Sequence, residues 1–432
     1  MSEQQKSHGW TVTFAGMGVN LALGILYAWS VIKGGIPDSW GWNNADKALP
    51  YSVACLVFAL AMIPAGRLQD KIGPRWVATL GGVFVGLGFI IAALTGSSLG
   101  GFVVGFGILG GIGIGFGYAS ATPPAVKWFP PKKTGLVTGL VVAGFGLASV
   151  YIAPLATSLL SAFGTTVTIT DPATGAAKQI LEKGVSNTML VFGIAFLIVV
   201  CLLSQLMKDP PLGYVPPGSP AKGSAAAANA AIDRGWKDML STTQFYILWL
   251  IYFAGAAAGL TFISFAQDLG KRSLGELAFV AVAVLAIGNA GGRILAGMIS
   301  DKIGRQSTLF LFLVMQAIVV FVLYLIRGGE GGWSVMLLII LLIGANYGSN
   351  LSLFPSATKD YFGLKNFGVN YGFVFTAWGA AGLIMPWVNG RIKDATGTNN
   401  LTFFIIIGML IVAALLTFVS RSIAAKDAAK AA

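Results

Sequence analysis

Charged side chains are scarce in this chain, and one of them stands apart from the rest. Of 432 residues, 28 are Lys or Arg, 16 are Asp or Glu and one is His, and nearly all fall in the breaks between long apolar runs. Arg293 does not. It lies inside AIGNAGGRILAGMISDKIGR, about two turns before the next polar break. A guanidinium within an apolar span costs at least about 2.5–3.5 kcal/mol, so it calls for a partner or a task. Arg stays protonated and presents a planar fork of donors, which suits a carboxylate gripped at two points. Its position therefore points to an anionic ligand, the alternative being a side chain that snorkels to the nearer interface. Gly291 and Gly292 leave room around it. Asn289, one turn earlier on the same face, can hydrogen-bond Arg293 or the ligand, or simply pack.

No acid falls at the centre of an apolar run. Asp268, closing the seventh, and Glu276, opening the eighth, come nearest and are the candidates for binding a proton, unless they are solvated loop acids. The sole His, His8, precedes the first run. No acid, base, nucleophile and metal-ligand set shares one depth, so neither an enzyme nor a metal or cofactor site is expected. Aromatic residues can complete a pocket: Tyr27 with its neighbour Leu26, Tyr118, Tyr347, Phe375 and Trp378. A tyrosine hydroxyl can donate to a carboxylate while its ring packs on a short carbon chain, although each ring can equally be plain packing or an interface anchor.

These residues have to be positioned by apolar helices. The chain is 56% hydrophobic and 10% charged, against roughly a quarter charged in a soluble domain. Runs of about 20 apolar residues, the length that crosses about 30 Å of hydrocarbon, number twelve. They begin near Trp10, Leu49, Trp76, Gly100, Thr134, Asn187, Thr243, Leu277, Ser307, Trp333, Phe367 and Leu401. With both termini placed inside, 18 of the 28 Lys and Arg lie on the inner side and nine on the outer, Arg293 being the remaining one. That bias orients a multi-pass membrane protein with both termini cytoplasmic. It also accounts for the net charge of +12 without a nucleic-acid partner. The polar start Met1 to Ser7 runs straight into the first span, with no small-residue cleavage site after it. Cys55 and Cys201 fall in spans, where a thiol serves as a small packing residue rather than in a disulfide.

The twelve spans divide in two. PPLGYVPPGSPAKGSAAAANAA cannot cross a membrane and reads as a cytoplasmic linker, giving an N-terminal six-helix bundle over 1–207, a linker over 208–242 and a C-terminal bundle over 243–432. The halves repeat: GRLQDKIGPR recurs as GMISDKIGRQ, with Asp70 and Asp301 separated by 231 residues. Phe129, Gly135 and Gly139 match Phe362, Gly368 and Gly372 at a separation of 233. Two matches at nearly one separation argue for duplication. The two loops resemble the signature loop of the major facilitator superfamily. That resemblance implies an all-α integral membrane fold of two six-helix bundles related by a pseudo-two-fold axis, with substrate bound between them at mid-membrane. It also implies a cavity lined by the first, fourth, seventh and tenth spans, and gating loops built around Asp70 and Asp301. Fold alone leaves sugar or drug transport open.

A finer resemblance runs through both halves. WFPPKKTGLVTGLVVAGFG, with Trp128, Phe129, Lys132, Lys133, Leu136, Gly139, Ala143 and Gly144, resembles the fifth-span signature of the monocarboxylate transporters, departing by an extra Pro and by Thr134 in place of a basic residue. TTQFYILWL and NAGGRILAGMISDKIGR extend it, in a branch that includes the bacterial oxalate:formate antiporter. Arg293 is then similar to the eighth-span Arg that binds substrate carboxylate, and Asn289 stands where the animal proteins carry an Asp that takes part in proton coupling. The first-span Lys of those proteins falls near Val31, with Lys33 close by at the outer interface. Trp378 stands where the oxalate antiporter has a second cation. The resemblance implies proton-coupled symport of a short monocarboxylate such as L-lactate, also pyruvate, by a monomer, with organic-anion exchange as the alternative.

Overall fold

Hydrocarbon offers no partner to a free amide, so runs this apolar must pair their backbone internally as helices. The computed structural model describes residues 3–129, 131–170, 177–211, 214, 216, 233–326, 332–363 and 366–431, with side chains described except at 3–7, 70, 131–136, 169, 170, 177, 178, 180, 272, 273, 301 and 425–431. Twelve helices are long and apolar enough to cross a membrane. In chain order, spans 1–6 are His8–Gly35, Asn44–Gln69, Pro74–Leu94, Leu99–Lys127, Val137–Ala162 and Val185–Ser204. Spans 7–12 are Thr243–Ser264, Gly275–Ser300, Arg305–Ile326, Gly332–Phe362, Phe367–Thr396 and Asn400–Ala424. No start lies more than five residues from the one read off the sequence.

The ends of the spans are chemically specified. Asn43 and Asp46 form a reciprocal capping box at the start of span 2, Thr242 caps span 7, and Pro74 occupies the first turn of span 3, where a missing N–H costs nothing. The helices of spans 2 and 8 both stop at a glycine of positive φ, 83° at Gly73 and 84° at Gly304. Those glycines stand 231 residues apart, so the repeat seen in the side chains is also a repeat of backbone turns.

Spans 1 and 7 are the most enclosed, with 83% of their central windows buried, whereas spans 6 and 12 reach only 39% and lie outermost. Between the halves, span 2 packs along span 11 and span 5 along span 8. At the face opposite the termini, the Asp394 carboxylate at the end of span 11 accepts from the Asn44 amide at 2.9 Å, the Asn44 side-chain amide at 2.8 Å and the Ala45 amide at 3.0 Å, all at the start of span 2. Towards the face that carries the termini, a Cβ placed on Gly66, Gly139, Gly297 or Gly368 meets nothing within 4 Å among the described residues. The halves touch at the far face, and nearer the terminal face span 11 still meets span 2, where a Cβ on Gly372 would lie 3.1 Å from Ile63.

One element departs from the helical expectation. Thr165–Thr170 and Ala177–Glu182 pair as an antiparallel hairpin between spans 5 and 6, with Thr165 opposite Glu182. TTVTIT is a run of β-branched residues, which favour a pleated strand, and it is too short to register as a span. Most of the linker's middle lies outside the described residues, but both of its ends dock. Lys208 O accepts from the Trp128 indole at 2.9 Å and Asp209 pairs with Lys127 at 2.9 Å, on the N-terminal half. Arg234 O accepts from Asn366 and Asn370 at 3.2 and 3.0 Å, and Trp236 stacks on Phe373, on the C-terminal half.

Candidate functional site

Span 8 delivers Arg293 to the seam between the halves, where it is 9% exposed. Its Nε donates to Asn289 Oδ1 at 3.1 Å, and Nη1 donates to the main-chain oxygen of Val142 on span 5 at 3.1 Å. A guanidinium only donates, so the Asn289 atom facing it must be the amide oxygen and Nδ2 points elsewhere. Arg293 Nη2 and Asn289 Nδ2 are both buried and have no carbonyl or carboxylate partner among the described residues; the hydroxyls beside them are those of Tyr118 and Tyr27. A Cβ on Gly146, one turn beyond Val142, would lie 3.6 Å from Nη2 and 3.7 Å from Cζ, so the guanidinium rests against the bare backbone of span 5. Arg293 thus bridges the halves instead of reaching for an interface. The space anticipated around it is only half real: Gly291 faces open space, whereas Gly292 is filled by the Ala345 backbone of span 10.

The aromatic residues close in from six other spans. Span 1 tightens into a 3₁₀ turn over Gly24–Ala28, which carries Leu26 and Tyr27, both buried. The Tyr27 hydroxyl lies beside Asn289 and Arg293 and 2.8 Å from the Tyr347 hydroxyl of span 10. The Trp378 indole of span 11 donates to that same Tyr347 oxygen at 2.8 Å. The Tyr118 hydroxyl of span 4 lies beside Arg293. Phe375 stacks on Trp378 with centroids 5.0 Å apart and planes 15° apart, and both meet Phe58 in T-shaped contacts. Phe145 packs edge-on against Tyr27 at 5.0 Å and Tyr118 at 5.3 Å.

Arg293, Asn289, Tyr27, Tyr118, Tyr347 and Phe375 are therefore brought to one place, with Leu26 in the turn that supplies Tyr27. Asp268 and Glu276 are not. Asp268 sits in the short helix Ala266–Leu274 and pairs with Lys271 at 3.3 Å and Lys393 at 3.8 Å. Glu276 is exposed at the far end of span 8, about 25 Å along the helix from Arg293 at 1.5 Å per residue. Lys33, expected at the outer interface, is 7% exposed and buried within the far end of span 1, because Gly34 and Gly35 let Gln267 and Leu160 close over that end. The side chains of Asp70 and Asp301 lie outside the described residues. Cys55 and Cys201 are free thiols.

Val142 escaped sequence reading because a main-chain acceptor carries no residue signature; the nearest signal is the glycine pair Gly144 and Gly146. Phe58 and Phe145 look like any span phenylalanine. As built, the site offers one buried cation, an amide donor beside it and three tyrosine hydroxyls within a ring of aromatic faces. That combination can hold one carboxylate on a short carbon chain.

The Major Facilitator Superfamily profile matches residues 9–386. The oxalate:formate antiporter of Oxalobacter formigenes is 28% identical over 92% of this chain and 87% of its own. Monocarboxylate transporter 11 of Homo sapiens is 25% identical over 92% of this chain and 79% of its own. Among solved structures, a bacterial homologue of the human lysosomal transporter Spinster, captured inward-facing and unoccupied, superposes with a TM-score of 0.70 at 17% identity, covering 99% of both chains.

Proposed function

This chain belongs to the Major Facilitator Superfamily and is a membrane transporter, and from that premise we propose that it carries short monocarboxylates such as L-lactate, and pyruvate, together with a proton by alternating access. The observation that carries the reading is the pair of buried donors on adjacent turns, Arg293 Nη2 and Asn289 Nδ2, that no carbonyl or carboxylate among the described residues satisfies. A buried donor left without an acceptor costs about 1–3 kcal/mol, more for a charged group, so an anion accepting from this pair would be stabilised. A single carboxylate neutralises Arg293. A dicarboxylate would leave one negative charge uncompensated, since Trp378 and not a cation stands across the pocket. The lengths shared with a monocarboxylate transporter and a carboxylate antiporter support the same class of cargo.

In this reading Tyr27 and Tyr118 face the ligand, Leu26 and Phe375 pack around it, and Tyr347 acts from behind Tyr27 through their shared hydrogen bond. Residues 1–207 and 243–432 rock about it as two bundles joined by 208–242, and the loops of Asp70 and Asp301 gate the inner side. Asp268 and Glu276 take the proton at the outer mouth. The protein works as a monomer in the bacterial cytoplasmic membrane, its termini in the cytoplasm.

The test is uptake of labelled L-lactate into proteoliposomes with and without an inward proton gradient. Gradient-driven accumulation that disappears in Arg293→Ala and in Arg293→Lys, with the protein still folded, is the expected result; normal uptake by Arg293→Ala sinks the carboxylate assignment. Anion exchange is the second reading. The amide at position 289, the exposed place of Glu276 about 25 Å along span 8 from Arg293, and the antiporter among the relatives favour it. Uptake that needs an internal anion and ignores the gradient would move the assignment there.

A further inference from the structure

We propose that Trp378 is a positioning residue for the substrate: its indole N–H, acting through the Tyr347 hydroxyl, turns the Tyr27 hydroxyl proton towards the carboxylate on Arg293. The inference rests on the carboxylate reading above and adds to it a residue that acts without touching the ligand.

The argument is a count of protons along a buried chain. Trp378, Tyr347 and Tyr27 are 1%, 1% and 3% exposed. An indole N–H can only donate, so the Tyr347 oxygen receives the Trp378 proton across their 2.8 Å contact. The 2.8 Å contact between the two hydroxyls holds one proton, although the two tyrosines bring two. One hydroxyl proton must therefore point elsewhere. If Tyr27 donates to Tyr347, the spare proton belongs to Tyr347, which makes no other hydrogen bond. If Tyr347 donates to Tyr27, the spare proton belongs to Tyr27, whose hydroxyl lies beside Asn289 and Arg293. The first arrangement strands a buried donor; the second offers it to the ligand. Accepting from Trp378 also makes Tyr347 the stronger donor, because linked hydrogen bonds polarise one another in the same direction.

Packing holds the indole in place for this role. Its ring is stacked on Phe375 and braced by a T-shaped contact with Phe58 at 5.2 Å, while Gly379 beside it lets span 11 close on Ala59 and Cys55 of span 2. The chain runs from span 11 through span 10 to span 1. A residue of the C-terminal half thereby sets the donor that the N-terminal half shows to the substrate.

Trp378→Phe keeps an aromatic ring and removes the N–H. Tyr347 then lacks a donor, Tyr27 turns to supply it, and the ligand loses a hydrogen bond. KM for L-lactate should rise about tenfold while the maximal rate stays within about threefold. Tyr27→Phe should lose a similar amount, and Trp378→Phe/Tyr27→Phe no more than Tyr27→Phe alone. Trp378→Phe/Tyr347→Phe is the decisive variant. With no Tyr347 oxygen to claim it, the Tyr27 proton returns to the ligand and KM should fall back towards the wild-type value. A second packing defect would make matters worse, so recovery separates positioning from structural support. Multiplicative losses in the Trp378→Phe/Tyr27→Phe pair, no recovery on adding Tyr347→Phe, or an unchanged KM in Trp378→Phe would each overturn the proposal alone. Wild-type protein that neither binds nor accumulates lactate or pyruvate would overturn the carboxylate reading, and this proposal with it.

Discussion

Arg293 keeps its charge available because its neighbour is an amide. Asn289 Oδ1 satisfies Nε without neutralising the guanidinium, and the Val142 carbonyl does the same for Nη1. Asn289→Asp should therefore weaken transport, since the introduced carboxylate forms an internal ion pair and competes with the substrate for the same fork. The expected outcome is a KM for lactate raised about tenfold or more at neutral pH. The loss should shrink on acidification, as the new carboxyl takes up a proton and ceases to compete. KM measured at neutral and acidic pH checks both parts, and a variant equally impaired at both would count against direct competition. The sequence could show Arg293 and Asn289, because a charge in an apolar run and an i, i+4 spacing are visible in one dimension. The Val142 acceptor depends on a crossing between two halves, and the hydroxyl chain on the rotation of three rings, so neither could be read there.

The span ends were legible for a simple reason: hydrocarbon thickness sets a length, and caps such as Asn43, Pro74 and Thr242 are residue types. The hairpin at Thr165–Glu182 was not, since six β-branched and polar residues leave no hydropathy signal. Glycine was the intermediate case. Its abundance in the spans announced close packing, but not which glycines face a neighbour. Spans 8 and 10 interlock through Gly288, Gly292, Gly344 and Gly348, each seated on a carbonyl of the other helix, while adjacent Gly291 faces open space. Gly292→Ala should force the helices apart, at about 1–3 kcal/mol for overpacking, and lower the thermal midpoint of the purified protein. Gly291→Ala should leave it unchanged or slightly raised, as the cost of glycine in a helix is relieved. Equal effects at the two positions would mean that the close crossing of spans 8 and 10 is not what restricts residue 292.

At the scale of the whole molecule, a carrier must close one face while it opens the other, and the two faces are held by different means. At the far face Asp394 takes the two first-turn amides of span 2 and the Asn44 side chain, a charge-assisted clasp on the positive end of a helix. Gly390, one turn earlier, allows span 11 to lie directly on the Ala45 backbone. Towards the terminal face Gly66, Gly139, Gly297 and Gly368 meet nothing within 4 Å among the described residues, while Gly372 rests on Ile63 of span 2. Arg293 lies between these ends, and its bond to Val142 joins spans 5 and 8 close to the depth about which two rocking bundles would turn. Opening the far face must strip Asp394 from span 2, so Asp394→Ala should shift the population towards a far-open state without altering the ligand's own contacts. Spin labels on Ser39→Cys and Thr398→Cys, in a Cys55→Ala, Cys201→Ser background, would report the shift as a longer distance between the loops. An unchanged distance would leave the packing of Gly390 on Ala45 as the restraint that matters. Gly390→Ala, which sets a methyl against that backbone, should then be the variant that opens the far face.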